Sequence, residues 1–348
     1  MNDDYLWDRG GTPDPEVARL ERQMASLAQK NPPPALTLPE PARPRRRWVP
    51  GVRGIPGVYV ALATAATLAI ATVGVTLARR SRSNVPGWEV TRVAGAPTIA
   101  SRRMAGQTRL PVGGWLETDD RSTASINVGT IGQVNVEPRT RLRLISARDG
   151  DHRLQLERGT LRATIWAPPG QFVVETASST AVDLGCAYTL TMDDEGAGLV
   201  SVLVGWVGFE WRGRESFIPA GSVCATRPGK GPGTPYNERV SPAFREALQT
   251  IDFPSGAPDN GAALSRVLME AEERDEVTLW HLLTRVDARE RDRVFDRLAQ
   301  FVPPPPGVTR DGIRAGRRDM LDAWWDALGL GTAAWWRTWK RPGAMGER

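Results

Sequence analysis

Two cysteines and two histidines hold most of the nucleophilic and metal-binding capacity of this 348-residue chain, and their placement argues for binding over catalysis. His152 and His281 fall in different segments, and neither is accompanied by an HExxH, CxxC, GxSxG or GxxxxGK[ST] sequence. His152 follows the hairpin signal Asp149-Gly150 and is expected at the surface. His281 shares a helical stretch with Trp280 and is expected in the packing. Gly229-Lys230-Gly231-Pro232-Gly233 has the look of a phosphate loop but lacks the spacing and the hydroxyl residue after lysine, so it reads as a linker. Asp193-Asp194 belongs to a turn, where carboxylates solvate a chain reversal. Cys186 and Cys224 lie 38 positions apart in apparent β-structure. In an oxidising compartment they can pair, closing a loop for a few kcal/mol of stability; otherwise they are two buried thiols. No catalytic, cofactor-binding or metal-ligating residue is assigned. The expectation is a non-enzyme that uses no cofactor.

If the chain binds, it needs surfaces. Residues 1–29 form an acidic arm in which Asp14-Pro15-Glu16 starts a helix, with an N-cap carboxylate, a proline at the first turn and an acid on the helix dipole. Val17, Leu20, Met24 and Leu27 then make one narrow apolar stripe on a helix too short to form its own core. With Tyr5, Leu6 and Trp7 ahead of it, this stripe predicts contacts to a cytoplasmic protein. Residues 30–54 are a linker rich in proline and arginine, expected to be extended and to face anionic headgroups. The net charge of +5 comes from arginines spread through every segment, which gives no basis for direct nucleic-acid binding.

The uncharged run Val58 to Leu77, within residues 55–78, predicts a transmembrane helix: about 20 residues at ~1.5 Å each cover the ~30 Å of a bilayer core. It starts too far from Met1 and is too long for a cleavable leader. Arginines flank both ends, so charge alone sets no orientation. Their slight asymmetry, together with two cysteines on the C-terminal side, favours an N-terminus inside and a large C-terminal portion outside.

From residue 88 to 227 the period becomes two. Ala124, Ile126 and Val128, Leu142 with Leu144, and Leu154 with Leu156 alternate with polar residues, and turn signals separate the runs. This predicts an all-β domain, a sandwich or a wrapped sheet. Leu199 to Trp211 is apolar on both parities and predicts one central strand covered on both faces. The order of segments here resembles the periplasmic domain of the FecR family. The matching stretches are Gly114-Trp115-Leu116-Glu117-Thr118, Ser125 to Val128 with Gly132 to Val136, Leu156 to Gly159 with Phe172 to Thr176, Asp183 to Leu190, and Val202 to Val207. Cys186 and Tyr188 stand where that family has threonine and phenylalanine. The resemblance implies an anti-sigma-factor-like regulator in the bacterial inner membrane, single-pass with a cytoplasmic N-terminus and periplasmic C-terminal domains, whose arm binds a sigma factor or other cytoplasmic regulator while the outer part receives a signal from an envelope protein or receptor.

Residues 240–341 read as an α-helical domain. Ser241-Pro242, Asp275 and Asp287 mark helix starts, and Pro303 to Pro306 ends a helix. Trp324, Trp325, Trp335, Trp336 and Trp339 can line a membrane interface, hold a glycan or fill a core. The whole is thus expected to be a multidomain membrane protein with a single transmembrane helix, a FecR-like all-β domain and an α-helical C-terminal domain. An envelope-anchored module recognising glycan, peptidoglycan or another envelope protein is the alternative.

Overall fold

The computed structural model describes residues 86–254 and 260–333. The predicted arm, linker and membrane span lie outside the described residues, as do the expected contacts Tyr5, Leu6, Trp7, Val17, Leu20 and Met24 and the residues Trp335, Trp336 and Trp339. Among the described residues, no helix is long and apolar enough to cross a membrane.

Because successive strand side chains point to opposite faces, each alternating run buries one face and leaves the other wet. The strands form two sheets. The first runs Gln107–Pro111, Gly87–Ala94, Thr123–Asn127, Gly132–Val136, the end of Asp151–Ile165, Ala187–Met192, Gly198–Val204 and Ser222–Arg227. The second runs Arg102–Arg103, Thr98–Ile99, Trp115–Glu117, Arg141–Arg148, the start of Asp151–Ile165, Phe172–Glu175, Thr180–Asp183, Trp206–Trp211 and Arg214–Pro219. All these pairings are antiparallel except that of Phe172–Glu175 with Asp151–Ile165. Between the sheets lies a core that includes Ile126, Val134, Leu142, Leu154, Leu161 and Phe172, all inaccessible to solvent. Each such side chain contributes about 1.5–3 kcal/mol.

The 15-residue strand Asp151–Ile165 belongs to both sheets. It changes sheet at Gly159, whose φ is +91° and where a Cβ would sit 2.3 Å from the Thr140 Cα. Only glycine fits there. The predicted single strand Leu199 to Trp211 is a second crossing. It breaks at Gly205 (φ +72°) into Gly198–Val204 of the first sheet and Trp206–Trp211 of the second. Its apolar residues on both parities reflect a change of phase at the break, because Val200 and Val202 point inward while Leu199, Leu203 and Val204 are exposed.

The helices are α1 (Pro242–Asp252), α2 (Asn260–Glu270), α3 (Glu276–Leu282), α4 (Ala288–Phe301), α5 (Arg310–Arg314) and α6 (Arg318–Ala327). The predicted caps form at α1, where Ser241 Oγ accepts from the Phe244 N–H, and at α4, where Asp287 accepts from the Glu290 N–H. Asp275 does not cap α3; its carboxylate accepts from the Glu272 N–H in the short 3-10 turn before that helix. The helices pack on the outer face of the second sheet, and one apolar cluster joins Val173, Val182 and Phe217 to Leu248, Leu283, Val294, Trp324 and Trp325. Trp324 and Trp325 therefore fill a core. Of the expected linker Gly229 to Gly233, Gly229 and Lys230 are exposed, but Gly231 to Gly233 are buried, as is the chain on to Tyr236, because the short strands Gly231–Pro232 and Tyr236–Asn237 pair with Ser222–Arg227.

Candidate functional site

A cleft of about 540 Å³ opens where the helices meet the hairpin of Trp206–Trp211 and Arg214–Pro219. The hairpin turns at Arg212-Gly213, both at positive φ, which carries Arg212 and Arg214 to one rim. Trp280, His281 and Thr284 of α3 and its C-terminal end, with Arg285, form the wall, and Arg318 of α6 closes the other side.

Beneath the cleft a carboxylate is shared by two guanidinium groups. Asp252 Oδ1 lies 2.8 Å from Arg214 Nη2 and 3.2 Å from Arg285 Nη1, and its Oδ2 accepts from the Thr234 N–H at 2.6 Å. Arg285 also donates to Pro232 O at 3.0 Å, Glu215 O at 2.9 Å and Ser216 Oγ at 2.6 Å. Burial, followed by repulsion from Arg285, lowers the Arg214 pKa. Arg318 meets Glu215 Oε2 at 3.2 Å. Four arginines thus face two carboxylates, and the excess positive charge suits an anionic group.

His281 is committed to structure, as expected. Its Nδ1–H donates to Val277 O at 2.8 Å and its Nε2 accepts from the Phe217 N–H at 3.0 Å. Burial and the neighbouring Arg285 charge push its pKa down to about 3, so it stays neutral at ordinary pH and has no free nitrogen for acid–base work. His152 is not at the surface. It is buried with its ring 5.9 Å from Trp88, because it shares the inward parity of Leu154 and Leu156. That parity was readable in the sequence; the adjacent turn signal pointed the wrong way.

Cys186 and Cys224 are separate buried thiols, and the bridge considered above is not formed. The Cys186 thiol donates to Asp183 Oδ2 at 2.6 Å, while the Cys224 thiol donates to Gly233 O at 3.2 Å. Asp183 is buried, and desolvation raises its pKa to about 7 despite donation from Cys186 and the Gly185 N–H. Nothing in the spacing of these residues signals the Asp183–Cys186 contact. Among the described residues, no group of three or more His, Cys, Asp or Glu is placed to hold a metal ion.

No family model and no curated protein matches the chain. Among solved structures, two crystal structures of a candidate anti-sigma factor from Parabacteroides distasonis are similar over part of the chain. One is 15% identical with a TM-score of 0.32, covering 39% of this chain and 64% of that one. The other is 16% identical with a TM-score of 0.32, covering 44% of this chain and 73% of that one. The chain therefore spans less than two thirds of the first of these structures.

Proposed function

We propose that the chain is a single-pass inner-membrane regulator of FecR type, with a cytoplasmic arm that holds a sigma factor and periplasmic domains that receive an envelope signal. The relay works through protein–protein binding, without a catalytic step. One observation carries this reading: the stretches that resemble FecR follow one another through a single sandwich. Trp115–Glu117, Thr123–Asn127, Gly132–Val136, Asp151–Ile165 and Phe172–Glu175 are strands of it, and the Asp183 to Leu190 and Val202 to Val207 stretches are two of the places where the chain passes between sheets. The apolar stripe of Val17, Leu20 and Met24 and the aromatics of the Tyr5-Leu6-Trp7 segment give the arm a face for its partner.

The test is affinity capture from membranes with the full-length chain and with a variant lacking residues 2–50. A sigma factor recovered by the first and lost from the second is the expected result; none recovered by either removes the regulatory role. Protease accessibility of tags at the two termini in intact spheroplasts checks the orientation.

A further inference from the structure

The outward face of the first sheet carries amides and hydroxyls in register. Gln107 lies beside Thr91, Thr91 beside Ser125 and Ser125 beside Asn135; in the next row Glu89 lies beside Asn127 and Asn127 beside Gln133. These side chains hold one another in place. Gln133 Nε2 donates to Ser125 Oγ at 2.6 Å and Asn135 Oδ1 at 2.9 Å, and Gln107 Nε2 donates to Glu89. They line a shallow depression of about 330 Å³ that reaches Trp166.

Trp166 is 66% exposed, although an indole ordinarily buries most of its surface. It is also fixed in position. Its Nε1–H donates to Thr130 O at 3.3 Å and its backbone N–H to Ile131 O at 3.0 Å, both on the loop that precedes Gly132–Val136. An exposed indole already anchored binds with less entropy loss than one that must be immobilised.

Several ligand classes fail to match this lining. A polyanion needs cations in the site, but no lysine or arginine lines the depression, Glu89 places a negative charge there, and the nearby Arg162 is paired with Glu137 at 2.9 Å. An apolar protein surface needs a continuous apolar patch, whereas Leu199 and Leu203 stand on a strand three removed from Gln133, roughly 14 Å away. A pyranose chain fits both features. Its C–H faces stack on an indole, and each of its hydroxyls donates and accepts, as amide side chains do.

We infer that this face binds a neutral saccharide chain, with one ring stacked on Trp166 and hydroxyls bonded by Asn127, Gln133 and Glu89. The site is independent of the arm and of any sigma factor, so its test and the capture experiment above fail separately.

The full-length chain, held in a detergent without a sugar headgroup, is titrated calorimetrically with cellohexaose, maltohexaose, chitohexaose and a sulfated heparin hexasaccharide. At least one neutral hexamer is expected to saturate. Trp166→Ala should weaken it about tenfold or more, Trp166→Phe less, and Gln133→Ala severalfold, all with an unchanged unfolding midpoint. The inference is overturned if no neutral hexamer binds, if only the sulfated one does, or if Trp166→Ala binds as tightly as the unaltered chain.

Discussion

Arg285 of the helical side reaches Asp252 at 3.2 Å, with both side chains almost wholly out of water. Arg285 also spans Pro232, Glu215 and Ser216, so a single guanidinium ties α1 to the second sheet and to the buried Gly231 to Tyr236 stretch.

Removing that fork leaves Asp252 with Arg214 as its cation and takes a donor away from Pro232 O, Glu215 O and Ser216 Oγ. Arg285→Ala should cost about 3–5 kcal/mol in urea unfolding. Arg285→Lys should recover less than half of the loss, since an ammonium cannot reach all four acceptors at once. Full recovery by lysine would show that charge alone matters there.

Stability should carry two opposed pH dependences. The buried Asp183 carboxyl keeps its proton up to about pH 7, whereas the unfolded chain releases it near 3.8; between these values the folded state holds the extra proton, and stability falls as pH rises. His281 acts the other way. The unfolded imidazole takes a proton below 6.5 and the buried one only near 3, so stability falls as pH drops through that interval. Asp183→Asn should remove the opposing contribution of that carboxyl, with the urea midpoint climbing from about pH 4 to 6.5 more steeply than in the unaltered chain. Parallel curves for the two proteins would mean that Asp183 is ionised throughout.

Gly205 should tolerate no side chain. A Cβ there would lie 2.1 Å from Gly185 O, on a backbone at positive φ. Gly205→Ala is expected to cost more than about 2 kcal/mol. At Gly213, also at positive φ but with open space around it, alanine should cost only about 1 kcal/mol. Equal thermal shifts for the two variants would place the strain elsewhere.

Neither cysteine should react while the chain is folded. Burial raises the Cys224 pKa to about 12 and, with the nearby Asp183, raises that of Cys186 as well. In urea without reductant, mass spectrometry should find both alkylated by iodoacetamide, and the melting temperature should be the same with and without dithiothreitol. A species that takes up label only after reduction would establish a bridge.

Where one period persisted, the sequence was easy to read: Ala124 with Ile126 and Leu154 with Leu156 are strand faces, and Ser241 and Asp287 are working caps. Reading failed where the period changed phase. The Leu199 to Trp211 run hides a glycine at which inward and outward exchange places, and the turn before His152 outweighed the parity it shares with Leu154. The cleft had no local signature at all. Arg214, Asp252 and Arg285 are brought together only by tertiary packing, and no spacing along the chain anticipates their meeting.

The strand that passes from one layer to the other at Gly159 gives the two layers a common backbone. Separating the two layers therefore means tearing that one strand from its neighbours on one side or the other.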